Sequence, residues 1–137
     1  MRVPPHSRDA EEAILGAVLF DPKNYDKVQL KPDDFYDPRN AELWSVLHEM
    51  RASGLPLDSI TVRQYADDNG SLEKVGGEDH LLAVQDHMIG LGNVGHYSKI
   101  VLDKSKLRRE IGIISDGLEK SYDGSSCSAD VMSNLAG

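Results

Sequence analysis

The stretch NVGHYSKIVLDKSKLRREIGIISDGLEKSY, residues 93–122, decides how the rest of the chain is read. Within it Tyr97, Ile100, Val101, Leu107, Ile111, Ile114, Leu118 and Tyr122 recur at helical spacing, with Lys104 in the one slot that is not apolar. All of them fall along one side of a single helix, and Asn93 is a suitable cap for its start. At about 1.5 Å per residue such a helix extends roughly 40 Å, more than a compact domain of this length needs for its own core. Part of the stripe is therefore expected to meet something outside the globular body.

Working outward, the punctuation is helical throughout. Ser7 caps a helix that carries Ala10, Ala13, Ile14, Ala17 and Val18, widened by Leu15 and Leu19, and ends near Asp21. Gly16, bare of a side chain, leaves room for another helix to approach. Asp21-Pro22 and Asp37-Pro38 both read as a cap followed by a proline in the first turn. The first opens a short helix to about Val28. The second opens a longer one with Ala41, Leu43, Trp44, Leu47, His48, Met50 and Ala52, ending at Ser53-Gly54. Between them, Asp33-Asp34-Phe35-Tyr36 is too short for an element of its own, and Phe35 and Tyr36 are expected to pin a turn onto the core. After the connector Leu55-Pro56-Leu57-Asp58, Thr61 is the expected cap of a helix through Asn69 with Val62, Tyr65 and Ala66 facing inward. A strand over Ile60-Thr61-Val62 is disfavoured, having no partner strand. Gly76-Gly77 precedes a helix with His80, Leu81, Val84 and either His87 or Met88 on its inner side. Beyond Asp123-Gly124-Ser125-Ser126, a further helix is expected to start with Ala129, Val131, Met132 and Leu135. The fold class is all-α.

The 137 residues fit one domain, with 39% hydrophobic and 28% charged residues. No apolar run approaches the roughly 18 residues of a membrane span. A single cysteine, Cys127, excludes an intrachain disulfide and a thiolate zinc cluster, and a cytoplasmic setting is the expectation that fits best. A net charge of -8 argues against a surface built mainly for phosphate contacts. Locally, Lys99, Lys104, Lys106, Arg108 and Arg109 outnumber Asp103 and Glu110, which suits either a solvated helix face or an acidic partner.

Residues for chemistry are sparse. His6, His48, His80, His87 and His96 are scattered singly, and Asp79-His80 and Asp86-His87 offer local ligands without a converging set, so no metal site is expected. Cys127 has no neighbouring histidine to activate it. Asp33-Asp34 and Asp67-Asp68 lie in loops or helix ends expected to be exposed, where nothing raises a carboxyl pKa. No phosphate-binding loop is present. The residues alone therefore describe a non-catalytic helical domain, without catalytic, cofactor or metal residues, whose business is contact with protein.

Several blocks together carry a resemblance. Pro4-Pro5-His6-Ser7 with Asp9-Ala10-Glu11 and Ile14-Leu15-Gly16, then Asp34-Phe35-Tyr36, Gly54-Leu55-Pro56-Leu57-Asp58 with Thr61, residues 70–77, and Asn93 with Tyr97 leading to Leu107-Arg108-Arg109 resemble the N-terminal domain of bacterial and phage replicative DNA helicases of the DnaB type. The chain departs from that pattern at Ile89-Gly90-Leu91-Gly92, where the family usually has Pro-Ser-Ala-Ala. The resemblance implies a globular helical body over residues 1–106. It also implies a helical hairpin whose first arm begins at residue 107, with a second arm starting near Asp130 and cut short by residue 137. It further implies a role in hexamer assembly, the N-terminal domains forming a trimer-of-dimers collar, and docking of a DnaG-type primase, with a helicase loader as a further partner. The ATP-dependent helicase motor, with its ATP and magnesium and most of the DNA contact, would lie outside this chain. On this reading Leu107, Ile111, Ile114 and Leu118 pack the hairpin and mediate self-association, with Arg108 and Arg109 as rim charges that steer. The same four apolar residues also suit burial against the helix that follows them. A free-standing helical nucleic-acid binder using the basic patch is the competing reading.

Overall fold

The computed structural model describes residues 3–87 and 93–123, with the side chains of the last helix described as far as residue 114. Five α-helices and two short 3-10 segments make up these residues, and no strand occurs among them. The helices are α1 (Arg8–Phe20), α2 (Pro38–Ala52), α3 (Ser59–Asp68), α4 (Gly77–Asp86) and α5 (Val94–Asp123). The 3-10 segments, Pro22–Lys27 and Pro32–Asp34, link α1 to α2. The expected second arm and the segment 88–92 lie outside the described residues.

α1 is the spine of the body. Residues Ala10 to Leu19 are all buried, because α2, α4, α5 and the first 3-10 segment pack around it. An apolar stripe alone would leave its other face wet; here Glu11 and Glu12 are buried as well. Ser7 caps the helix as its sequence suggests, accepting from the Ala10 N–H at 3.3 Å. Asp21 and Asp37 cap through their side chains, each ahead of a proline. At α3 the cap is Asp58 rather than Thr61. The Asp58 carboxylate accepts from the Thr61 N–H at 2.8 Å, and the Thr61 hydroxyl donates to the same carboxylate at 2.9 Å. A carboxylate three residues earlier offers a charged acceptor to the helix start, and the hydroxyl becomes its partner.

The core gathers Ile14, Leu15, Val18, Leu43, Trp44, Leu47, Met50, Val62, Val75 and Val84. In α2 the inward position after Leu43 and Trp44 is Val46, while His48 stays exposed and hydrogen-bonds the Tyr25 hydroxyl at 2.8 Å. Trp44 is buried between Tyr25 and Phe35, with ring centroids 5.1 and 5.6 Å away, and its indole N–H donates to the Leu30 carbonyl at 3.0 Å. That bond satisfies the one polar atom of the ring, so the whole indole contributes apolar burial.

Two glycines are required by contact. A Cβ on Gly16 would lie 2.5 Å from the Val84 carbonyl oxygen and 3.0 Å from that of His87, so the end of α4 rests directly on the α1 backbone. Gly76, with φ of 95°, leads into α4 where a Cβ would meet His80 and Arg39. Gly16→Ala is therefore expected to destabilise the body by about 1–3 kcal/mol, since both obstructing atoms are backbone and cannot rotate away. Urea unfolding monitored through Trp44 fluorescence checks this; an unchanged midpoint would contradict the contact.

Candidate protein-interaction site at the root of the long helix

α5 buries Val94, Val101 and Ser105 against the body, with Tyr97 and Ile100 packed at the edge of the core. From Leu107 the pattern changes: Leu107 is 43%, Ile111 48% and Ile114 49% exposed. Three large apolar side chains spaced along one helix face and half in water form a patch of the kind that marks a contact surface. Leu118 lies on the same helix, with its side chain outside the described residues.

The changeover falls where a polar clasp roots the helix. Asp34, at the end of the second 3-10 segment, is only 3% exposed, contrary to the expectation that the Asp33-Asp34 pair lies open. Its carboxylate accepts from the Lys31 N–H at 2.8 Å, the Ser105 hydroxyl at 2.8 Å and Arg109 Nη2 at 2.7 Å. Arg108 Nη2 donates to the Asp34 carbonyl at 2.7 Å, and its Nη1 to the Pro5 carbonyl at 2.9 Å. The same guanidinium sits 5.5 Å over the Tyr36 ring, which also stacks on His6 at 4.1 Å. Tyr36 is thus a half-buried platform rather than a core residue. The sequence reading gave Arg108 and Arg109 a steering role; the structure places both on acceptors of their own chain.

Behind this clasp lies a second polar cluster. Glu11, 1% exposed, accepts from the N–H groups of Tyr36 at 2.7 Å and Asp37 at 3.3 Å and from Asn40 Nδ2 at 3.1 Å. With its Nδ2 committed to Glu11, Asn40 accepts through Oδ1 from His80 Nε2 at 2.7 Å, which places the neutral ring's proton on Nε2 and leaves Nδ1 bare. Burial holds the His80 pKa below its ordinary 6.5, and the Arg39 charge acts in the same direction against Glu12 and Asp37. Hydrogen bonding from the Arg39 guanidinium holds the Asp37 carboxyl below the usual carboxylate range, against the opposing effect of burial.

Sequence reasoning missed the burial of Asp34, Glu11 and Glu12, because a carboxylate next to a turn or in a first helical turn is ordinarily solvated. It also found no converging metal-ligand set, whereas Asp9, Glu12 and His87 place ligand atoms within 4.8 Å of one another. The partners lie on α1 and just past α4, far apart in sequence. Among the described residues, no helix is long and apolar enough to cross a membrane.

These features define a class: an all-α domain from whose body one long helix runs on with an apolar face in water. The family model of the DnaB-like helicase N-terminal domain matches residues 3–103, and the chain belongs to that family. It is 36% identical over 112 residues to the replicative DNA helicase DnaB of Geobacillus stearothermophilus, covering 80% of this chain and 25% of that protein. To the replicative DNA helicase DnaB of Pasteurella multocida it is 30% identical over 122 residues, covering 88% and 26%. The chain thus spans about a quarter of the length of these relatives. The crystal structure of the N-terminal domain of DnaB helicase from Mycobacterium tuberculosis matches with a TM-score of 0.88 at 28% identity, over 98% of this chain and 97% of that one. A DnaB-like replicative helicase, described together with its interactions with primase, shares the fold with a TM-score of 0.78 at 18% identity, over 95% of this chain and 31% of that one.

Since the native state holds His80 neutral, the unfolded chain binds the extra proton first on acidification, and stability falls as pH drops below about 6.5. His80→Gln keeps a donor for Asn40 but does not titrate. Urea midpoints at pH 5.5 and 7.5 are expected to differ less in the variant than in the native chain; equal pH dependence would refute the assignment of a neutral His80.

Proposed function

We propose that this domain is a non-catalytic assembly and docking element of a replicative DNA helicase. The outer half of α5 supplies the contact: Leu107, Ile111, Ile114 and Leu118 pack against a second hairpin arm or a second copy, and repetition of that contact builds the N-terminal collar of a hexamer, arranged as a trimer of dimers. The observation that carries this reading is the half-exposed apolar face of Leu107, Ile111 and Ile114, which starts within the turn that the Asp34 clasp holds. Primase docking belongs to the same proposal, supported by the shared fold with a helicase described with its primase interactions. The ATP- and magnesium-dependent motor and most of the DNA contact belong on this reading to parts of the helicase outside these 137 residues, and a helicase loader is a further partner.

The nucleic-acid reading gains no support from the geometry. Arg108 and Arg109, two of the five residues of the basic patch, are turned onto Asp34 and Pro5. Gel shifts of the 137-residue chain at two salt concentrations are expected to show no tight, steeply salt-dependent duplex binding; such binding would overturn the assembly reading.

Leu107→Asp combined with Ile111→Asp, made in the helicase that carries this domain, is expected to weaken self-association by about tenfold or more. Both side chains are half in water already, so the unfolding midpoint of the body should hardly move. Sedimentation velocity over a concentration series is the check, and an unchanged association profile would sink the proposal.

A further inference from the structure

Asp9 and Glu12 stand one turn apart on α1, and His87 follows directly on α4. The Nε2 atom of His87 lies 3.6 Å from Asp9 Oδ1 and 4.0 Å from Glu12 Oε2. Its Nδ1 is 3.4 Å from the Ala83 carbonyl oxygen, an acceptor. That contact favours the proton on Nδ1 and leaves the Nε2 lone pair aimed at two carboxylates. A backbone carbonyl behind the distal ring nitrogen is the arrangement that orients histidines on metal ions.

Glu12 gives the cluster its second mark. Its side chain is 9% exposed, and no hydrogen-bond donor reaches it among the described residues. Its Oε1 faces His80 Nδ1 at 3.9 Å, the nitrogen that carries no proton, while its Oε2 faces His87. The Arg39 guanidinium is committed to Asp37 through Nε and Nη2. A buried carboxylate without a donor is costly, and a cation placed between Glu12, His87 and the solvated Asp9 would offset that cost. A proton on His87 Nε2 would have to span 3.6 Å to Asp9 and 4.0 Å to Glu12, long for an N–H···O bond. A tetrahedral ion with bonds of about 2.0–2.1 Å holds neighbouring ligand atoms about 3.4 Å apart, a separation reached from 3.6 and 4.0 Å by small side-chain adjustments.

We infer that Asp9, Glu12 and His87 form a binding site for one divalent transition-metal ion of the zinc class. One imidazole with two carboxylates suits zinc, cobalt or manganese better than calcium or magnesium, which favour all-oxygen shells. The ion would join the start of α1 to the end of α4 and leave at least one coordination position for water. Asp9, whose side chain is 94% exposed, is free to swing onto it.

Cobalt(II) titration of the 137-residue chain at neutral pH tests this through the visible d–d absorption of the bound ion. One equivalent should bind and be displaced by zinc, with excess magnesium leaving the spectrum unchanged. His87→Gln and Asp9→Asn should each weaken cobalt binding at least tenfold, and Cys127→Ser should leave it unaltered. Asp9 is so exposed that its variant does not endanger folding, and circular dichroism of each variant confirms the helices. Absence of a cobalt spectrum in the native chain, displacement by magnesium, or full binding by folded His87→Gln or Asp9→Asn would overturn the inference.

Discussion

Asp34 is the point on which the long helix turns. A carboxylate that is 3% exposed receives the Lys31 N–H, the Ser105 hydroxyl and the Arg109 guanidinium, while its own carbonyl takes Arg108. Hydrogen bonds to a charged acceptor are each worth about 1.5–3 kcal/mol net when buried. Arg109 is 56% exposed, so its share is reduced by solvent. The Ser105 donor is better shielded and, with Arg109, fixes the rotation of α5 about its axis, while the Lys31 N–H holds the carboxylate in place. With that rotation fixed, Val94 and Val101 face the body, and Leu107, Ile111 and Ile114 are carried past it on a rigid rod.

The same logic runs through the rest of the body, where buried carboxylates at turns meet backbone N–H groups. Glu11 does for the turn at Tyr36 and Asp37 what Asp34 does for α5, and the two sites are joined through Tyr36, which touches both Glu11 and Arg108. The N-terminal segment is drawn in by Arg108 on Pro5 and by the His6 stack. Apolar packing gives this body its stability, but the polar contacts choose one arrangement of the helices among those that apolar packing alone would allow.

Much of this was legible in residues. The helix starts at Ser7, Asp21-Pro22 and Asp37-Pro38, the close approach at Gly16 and the inward Val62 and Ala66 all follow from local chemistry and periodicity. What sequence could not supply was the environment of single polar side chains. Asp34 looks like a solvated turn residue until α5 brings Ser105 and Arg109 to it from more than seventy positions away. Ser105 likewise sits in a slot that the apolar stripe leaves unremarked. Three of the blocks that carried the family resemblance, at Pro4–Ser7, Asp34–Tyr36 and Leu107–Arg109, prove to meet at this clasp. Their separation in the chain hid the contact, which a pattern of local spacing has no means to express.

The clasp as the device that presents the apolar face of α5 is tested most directly by hydrogen–deuterium exchange of the native chain against Asp34→Ala. The account predicts that amides over residues 104–110 exchange about tenfold faster or more in the variant, the equivalent of one charge-assisted hydrogen bond lost, while those in α1 keep their protection. Unchanged exchange across residues 104–110 in a folded Asp34→Ala chain would contradict it.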